Sequence, residues 1–155
     1  MTHKKLLIIG HVPSPNTQAL RDKVEQGARH VDISGVDVVA LNPFEAQPND
    51  VIAADGIILG TTENLGYMSG ALKDFFDRCY YPLLEEKQGL PVLVYIRAGL
   101  DGTGTKRAIE AILTGLHWKL IRPPHICLGD WDEGFLDECE ELGMTMAAGL
   151  EAGIY

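Results

Sequence analysis

Short, solidly apolar runs alternate along the chain with longer stretches in which apolar residues recur every third or fourth position. Leu6-Leu7-Ile8-Ile9, Val36 to Leu41, Ile57-Ile58-Leu59 and Val92 to Ile96 are the runs. Several are apolar throughout, which a strand requires only when both its faces are covered, so they predict a parallel sheet between helices. A fifth strand is expected between Trp118 and Leu128, mainly at His125 to Leu128, because Pro123-Pro124 interrupts any ladder there. The intervening stripes predict helices: Leu20, Val24 and Ala28; Leu72, Phe75, Cys79 and Leu83, bounded by Gly70 and Gln88-Gly89; and Ala108, Ile112 and Leu116. Phe135, Cys139, Leu142, Met146 and Leu150 form a fourth, with Asp130 or Asp132 as N-cap. A short helical piece is expected over Ala46 to Ala53.

Strands joined through helices demand right-handed crossovers, and the commonest five-stranded solution has spatial order 2-1-3-4-5. Ligands then sit at the carboxyl ends of the strands, where the loops after strands one, three and four converge. The first of these, Gly10 to Gln18, holds two prolines, the polar side chains of Ser14, Asn16 and Thr17, and the start of a helix. Free N–H groups and the positive dipole end suit a phosphate without a lysine, although the same residues are ordinary helix caps. The second, Thr61 to Gly70, is read as a long polar loop whose glycines admit a flat heterocycle, or as a surface loop capping the next helix through Ser69. The third, Arg97 to Thr105, has three glycines in six positions and accessible N–H groups, or else simply turns and caps with Thr103 or Thr105.

The 155 residues fit one domain, 1–155, and 46% hydrophobic with 23% charged residues is ordinary globular composition. Residues 1–10 superficially resemble a secretion leader, but the apolar stretch is short and lacks a cleavage site, so a buried strand is expected. Cys79, Cys127 and Cys139 are odd in number and far apart, and the histidines show no ligand spacing. Neither a disulfide framework nor a metal site is therefore expected, and a cytoplasmic setting is. Thirteen basic against 22 acidic residues leave −9, which argues against nucleic acid and anionic membrane surfaces, and no apolar run predicts membrane insertion.

The segment Gly60-Thr61-Thr62-Glu63-Asn64-Leu65-Gly66-Tyr67-Met68-Ser69-Gly70-Ala71-Leu72-Lys73-Asp74-Phe75-Phe76-Asp77-Arg78, with Ser14-Pro15-Asn16-Thr17 in the first loop, resembles the flavodoxin-like NAD(P)H-dependent FMN reductases and quinone reductases. The resemblance runs through nearly the whole chain. It implies a flavodoxin-like three-layer sandwich, an FMN cofactor, NADH or NADPH as co-substrate and a quinone-like acceptor. By position it carries Ser14, Asn16, Thr17 and Gln18 over as phosphate ligands, and Thr61, Thr62, Glu63, Asn64, Leu65, Gly66 and Tyr67 as ring lining. Arg97, Ala98, Gly99, Asp101 and Gly102 would meet the pyrimidine edge, with Arg97 helping to hold negative charge. No catalytic side chain is expected. Thr62 stands where proline is common in the family, and the cysteine cluster of the iron–sulfur branch is missing. Family members are usually dimers or tetramers, so a homo-oligomer is implied.

Flavodoxins proper share the fold but usually enclose the ring between aromatic residues of the second and third loops. Here Tyr67 stands alone, which leaves a flavin face open to a nicotinamide or quinone and favours a reductase. A carrier is the alternative, with the acidic run Asp130, Asp132, Glu133, Asp137, Glu138, Glu140 and Glu141 docking a basic partner, unless that run is merely a solvated helix face. A non-catalytic flavin-binding module is the third reading. Gly10-His11, Gly60-Thr61 and Gly129-Asp130 lack the residues of a phosphorelay receiver, and neither GxGxxG, GxxxxGK[ST] nor GxSxG occurs. Cys79, Cys139, Trp118 and Trp131 are expected as core or interface residues.

Overall fold

The computed structural model describes residues 3–155; Met1 and Thr2, the first residues of the leader-like stretch, lie outside the described residues. In chain order come β1 (Lys4–Gly10), α1 (Pro15–Ala28), β2 (Val36–Leu41), α2 (Pro48–Ile52), β3 (Gly56–Asn64) and β4 (Tyr67–Met68). They are followed by α3 (Gly70–Leu83), β5 (Pro91–Ala98), α4 (Thr103–Leu116), β6 (Lys119–Leu120), β7 (His125–Leu128) and α5 (Gly134–Glu151).

The solid apolar runs became strands, β1, β3 and β5 inside the sheet and β2 at its edge. The parallel order runs β2-β1-β3-β5, with β6 and β7 both parallel to β5, which is the expected 2-1-3-4-5 arrangement. The sheet has seven strands rather than the expected five. Pro123 and Pro124 split the outermost strand into β6 and β7, since proline has no N–H for the ladder. The stretch read as a loop after the third strand is instead a hairpin: β3 continues to Asn64 and pairs antiparallel with β4. No helix among the described residues is long and apolar enough to cross a membrane.

One face of the sheet is covered by α2, α3 and α4. There Leu59, Val94 and Ile96 pack with Leu72, Phe75, Phe76, Ile109 and Leu113. On the other, Ile8, Ile58, Leu93 and Tyr95 pack under Leu20 and Val24 of α1 and Leu142 and Met146 of α5. Here α1 and α5 touch backbone to backbone: a Cβ on Gly27 would lie 2.0 Å from the Glu140 carbonyl oxygen, and one on Gly143 2.0 Å from that of Val24.

The expected stripes of α1, α3 and α5 are buried. That of α4 is rotated: Thr105, Ile109, Leu113 and Leu116 are buried, while Ala108 and Ile112 sit on its shoulder. The start of α5 also differs. Glu133 holds the N-cap position with no side-chain bond to the helix, although the Asp132 carboxylate accepts from the Gly134 N–H at 2.7 Å.

Candidate functional site

The loops after β1, β3 and β5 lie side by side at the carboxyl end of the sheet, and they are bonded to one another. The His11 N–H donates to the Gly60 carbonyl at 3.1 Å, tying the first loop to β3 one residue before the second. Glu63 joins second to third: its Oε1 accepts from the Gly102 N–H and its Oε2 from the Thr105 hydroxyl, both at 3.0 Å. A Cβ on Gly104 would lie 2.4 Å from the Gly66 carbonyl oxygen, so the hairpin tip rests on the first turn of α4. These contacts make the three loops one rim.

At the first loop Ser14 is the N-cap of α1, with Pro15 opening the helix. Ser14 Oγ accepts from the Thr17 N–H at 3.2 Å and Thr17 Oγ1 from the Ser14 N–H at 3.0 Å, a reciprocal box that leaves the helix end rigid. Ser14 and Asn16 are exposed, Thr17 is buried, and Gln18 donates to Asp22 at 2.8 Å. Capping and phosphate recognition do not compete here, because the cap is what aims the first turn outward. Sequence reasoning passed over Arg21, whose guanidinium reaches back to the Gly10 carbonyl at 3.2 Å and sets a positive charge beneath the loop. His11 brings the opposite bias: its Nδ1 is buried without a partner, and burial lowers its pKa.

In the hairpin Thr61 is buried and structural, accepting from the Ser69 N–H at 3.0 Å, while Ser69 caps α3 by accepting from Leu72 at 3.2 Å. Thr62 bonds Asn64 at 3.0 Å. Leu65 and Gly66 turn the hairpin with φ of 54° and 78°, the two positive values that a type I′ turn demands. Leucine tolerates that poorly, at a cost of about 1–2 kcal/mol, and its side chain is fully exposed beside the half-exposed Tyr67. A strained, solvent-facing leucine at this tip gains nothing for the core.

At the third loop α4 starts from Gly102 at φ 86°, with no side chain of its own as cap. The Glu63 carboxylate therefore takes the place expected for Thr103 or Thr105, supplying negative charge where the helix dipole favours it. In that role the half-buried Glu63 carboxylate is committed to the start of α4. Arg97 departs from expectation as well. Its Nη1 donates to the carbonyls of Ala98 and Cys127 at 2.9 and 3.1 Å, and its guanidinium stacks 5.1 Å from the Phe135 ring and 5.9 Å from Trp131. The charge is committed to the α5 side. What the loop offers a ligand is backbone at Gly99 and Asp101 with the exposed Leu100 side chain, Ala98 and Gly102 being buried.

This donor set fits a phosphorylated flat heterocycle. Neutral hydroxyl and N–H groups at a helix start suit the phosphate. Cβ atoms at Gly66, Gly70 and Gly99 would meet open space, so both flanking loops leave room for a ring. Two hollows open to solvent lie elsewhere, one of about 230 Å³ between Lys5, Val39 and Asp50 and one of about 220 Å³ between Phe76, Tyr80 and Ile112. Neither is lined by a rim residue.

Behind the rim, a row of paired residues crosses the sheet: Gly10, Gly60, Tyr95 and His125. The Tyr95 ring fills the space where Gly60 has no Cβ, and its hydroxyl, with burial raising its pKa, has no partner. Beside it His125, Cys127, Glu138 and Cys139 form a polar group that no spacing in the sequence reveals. His125 Nε2 lies 2.9 Å from Glu138 Oε2. The proximity of the two thiols drives their pKa values apart: Cys127 is lowered by Cys139 and then His125, against burial, while Cys139 is raised by Cys127 and burial. The neighbouring Cys127 sulfur, then the bond to Glu138, raises His125, against the lowering effect of burial.

A family model described as NADPH-dependent FMN reductase matches residues 6–133. A flavodoxin from Aquifex aeolicus (strain VF5) is 33% identical over 112 residues, which are 72% of this chain and 60% of that protein. The chain thus spans three fifths of the length of this curated relative. Among solved structures, a flavodoxin from the domain Archaea superposes with a TM-score of 0.78 at 20% identity, covering 94% of this chain and 98% of that one. The two-electron reduced flavodoxin of Megasphaera elsdenii gives 0.75 at 20% identity, covering 92% and 98%. At that identity the two structures speak for the fold alone.

Proposed function

The chain belongs to the family of NADPH-dependent FMN reductases, and from that premise we propose that it is an FMN-dependent oxidoreductase passing electrons from NADH or NADPH to a quinone-like acceptor. The observation that carries this reading is the bonded rim, in which neutral donors at α1 face two glycine-opened loops. FMN, when bound, supplies hydride acceptance and onward electron release. The protein's share is binding, orientation and electrostatics.

In this reading Ser14, Asn16 and Gln18 hold the phosphate through side chains and the first-turn N–H groups, with Thr17 keeping the cap closed and Arg21 adding positive charge from beneath. Thr62 and Asn64 to Tyr67 line the ring, with Thr61 and Glu63 bracing them. Gly99 and Asp101 face the pyrimidine edge, where N–H groups favour the negative charge that reduction brings. Arg97, Ala98 and Gly102 hold that loop in place. The exposed Leu65, Tyr67 and Leu100 leave an apolar border for a nicotinamide or quinone, and the same border supports assembly into a homodimer or homotetramer.

Anaerobic mixing of FMN-loaded protein with each nucleotide tests the reading. Bleaching of the yellow colour with NADH or NADPH, and its return on adding a quinone, is the expected result; persistent colour with both nucleotides sinks it. The carrier reading has its own support in the flavodoxin relative and in the exposed acids of α5. A chain that holds FMN, stays yellow with both nucleotides and turns a stable blue on stepwise reduction is that carrier.

A further inference from the structure

We propose that His125, Cys127 and Glu138 form a divalent-cation site of the zinc class, clamping β7 to α5. Residues two apart on a strand project to the same side, so His125 and Cys127 both face α5, and Glu138 leans onto them from its second turn. The three ligand atoms all lie within 4.8 Å of one another. Zinc bonds of about 2.0–2.3 Å in a tetrahedron space the donors by about 3.4–3.7 Å. A cation therefore enters by parting the 2.9 Å contact of His125 and Glu138 by about half an ångström.

Charge and ligand type select the metal. One thiolate and one carboxylate balance a dication, leaving a neutral site. A thiolate beside an imidazole suits zinc and disfavours magnesium and calcium, which prefer oxygen alone. Access is one-sided: Cys127 is fully buried, whereas the side chains of His125 and Glu138 are 34% and 42% exposed. The cation thus arrives from solvent through the histidine and carboxylate and reaches the sulfur last, with the fourth position open to water. The backbone is already braced, since Arg97 donates to the Cys127 carbonyl at 3.1 Å. Leu128 to Asp137, including Trp131, is the stretch between the ligands, so the metal closes it at its base and ties the sheet edge to the helix.

The inference is independent of flavin binding. Zinc is titrated by calorimetry into the whole chain, reduced and freed of metal, with thiols verified, and the bound zinc is examined by X-ray absorption. One zinc per chain is expected, with one sulfur neighbour at about 2.3 Å, and a raised melting temperature in proportion to ligand excess. His125→Gln and Glu138→Gln, at half-exposed positions, should each weaken binding by at least the roughly 10–100-fold that loss of an outer-shell partner costs. Their melting in chelator should stay near that of the parent chain. Cys127→Ser should remove the sulfur neighbour, and His3→Gln should change nothing. Absence of stoichiometric binding, a shell of nitrogen and oxygen only, or unaltered affinity in both His125→Gln and Glu138→Gln would overturn the proposal.

Discussion

The two faces of the sheet are covered by different means. Under α2, α3 and α4 the space is filled by side-chain volume, with Phe75, Phe76, Leu72 and Leu113 meeting strand leucines and isoleucines. Under α1 and α5 much of the filling is done by backbone, because Gly27 and Gly143 let the helices close up, and the strands beneath contribute Tyr95 and Cys127 among their apolar residues. Volume tolerates small errors, since a side chain can turn aside. Backbone contact does not. The face that allows least adjustment also holds the unpartnered Tyr95 hydroxyl, whereas the buried Thr61, Ser69 and Thr105 beside α3 and α4 are all hydrogen-bonded.

Substitution of glycine separates the two most sharply. Gly143→Ala should cost about 3 kcal/mol, the upper part of the usual range for overpacking, because its Cβ would meet the Val24 carbonyl at 2.0 Å. Gly115→Ala on α4 should be far milder, with a net change within about 1 kcal/mol. Its Cβ meets the Tyr80 hydroxyl at 2.3 Å and ring carbons at 3.3 and 3.4 Å, the outer end of a side chain that can turn aside, while helix propensity gains about 1 kcal/mol. Urea midpoints compare the pair, and equal losses would erase the distinction. Tyr95→Phe should raise stability by about 1 kcal/mol, as it deletes a buried hydroxyl with no partner; a loss in thermal melting would mean that the hydroxyl is satisfied.

The smallest effect is a pH dependence at the entrance to α1. Burial holds the His11 pKa below its ordinary 6.5, so as pH falls through that value the unfolded chain takes up the proton first. Stability contributed by neutral His11 is therefore full above pH 6.5 and lost on acidification below it, until the folded form protonates too. His11→Gln should flatten this part of the stability profile, read as denaturant midpoints on either side of that pH.

Much of this architecture was legible because it depends on neighbours in sequence. Strands covered on both faces must be apolar where they are covered, and the buried stretches Leu6 to Ile9 of β1, Ile57 to Leu59 of β3 and Val92 to Ile96 of β5 are. Pro123-Pro124 marked the weak strand for a local reason as well. What could not be read depends on residues brought together from afar. The α4 stripe is rotated because Glu63, 42 residues earlier, draws Thr105 inward by its hydroxyl. The same carboxylate, expected at a ligand, spends itself on the helix start. The stacking of Arg97 could not be read because Trp131 and Phe135, which accept its guanidinium, follow a later strand. His125, Cys127 and Glu138 escaped notice because two lie on a strand and one on a helix, a spacing that no finger or helical motif uses.

The divided strand has a consequence for how the molecules keep apart. An open sheet margin is a template on which a foreign chain can build further rungs. Here the margin beyond β5 offers rungs of two and four residues, separated at a pair of prolines. Neither fragment is long enough to seat a guest strand in register, so a sheet whose strands are otherwise solidly apolar ends on that side in a form that resists fibre growth.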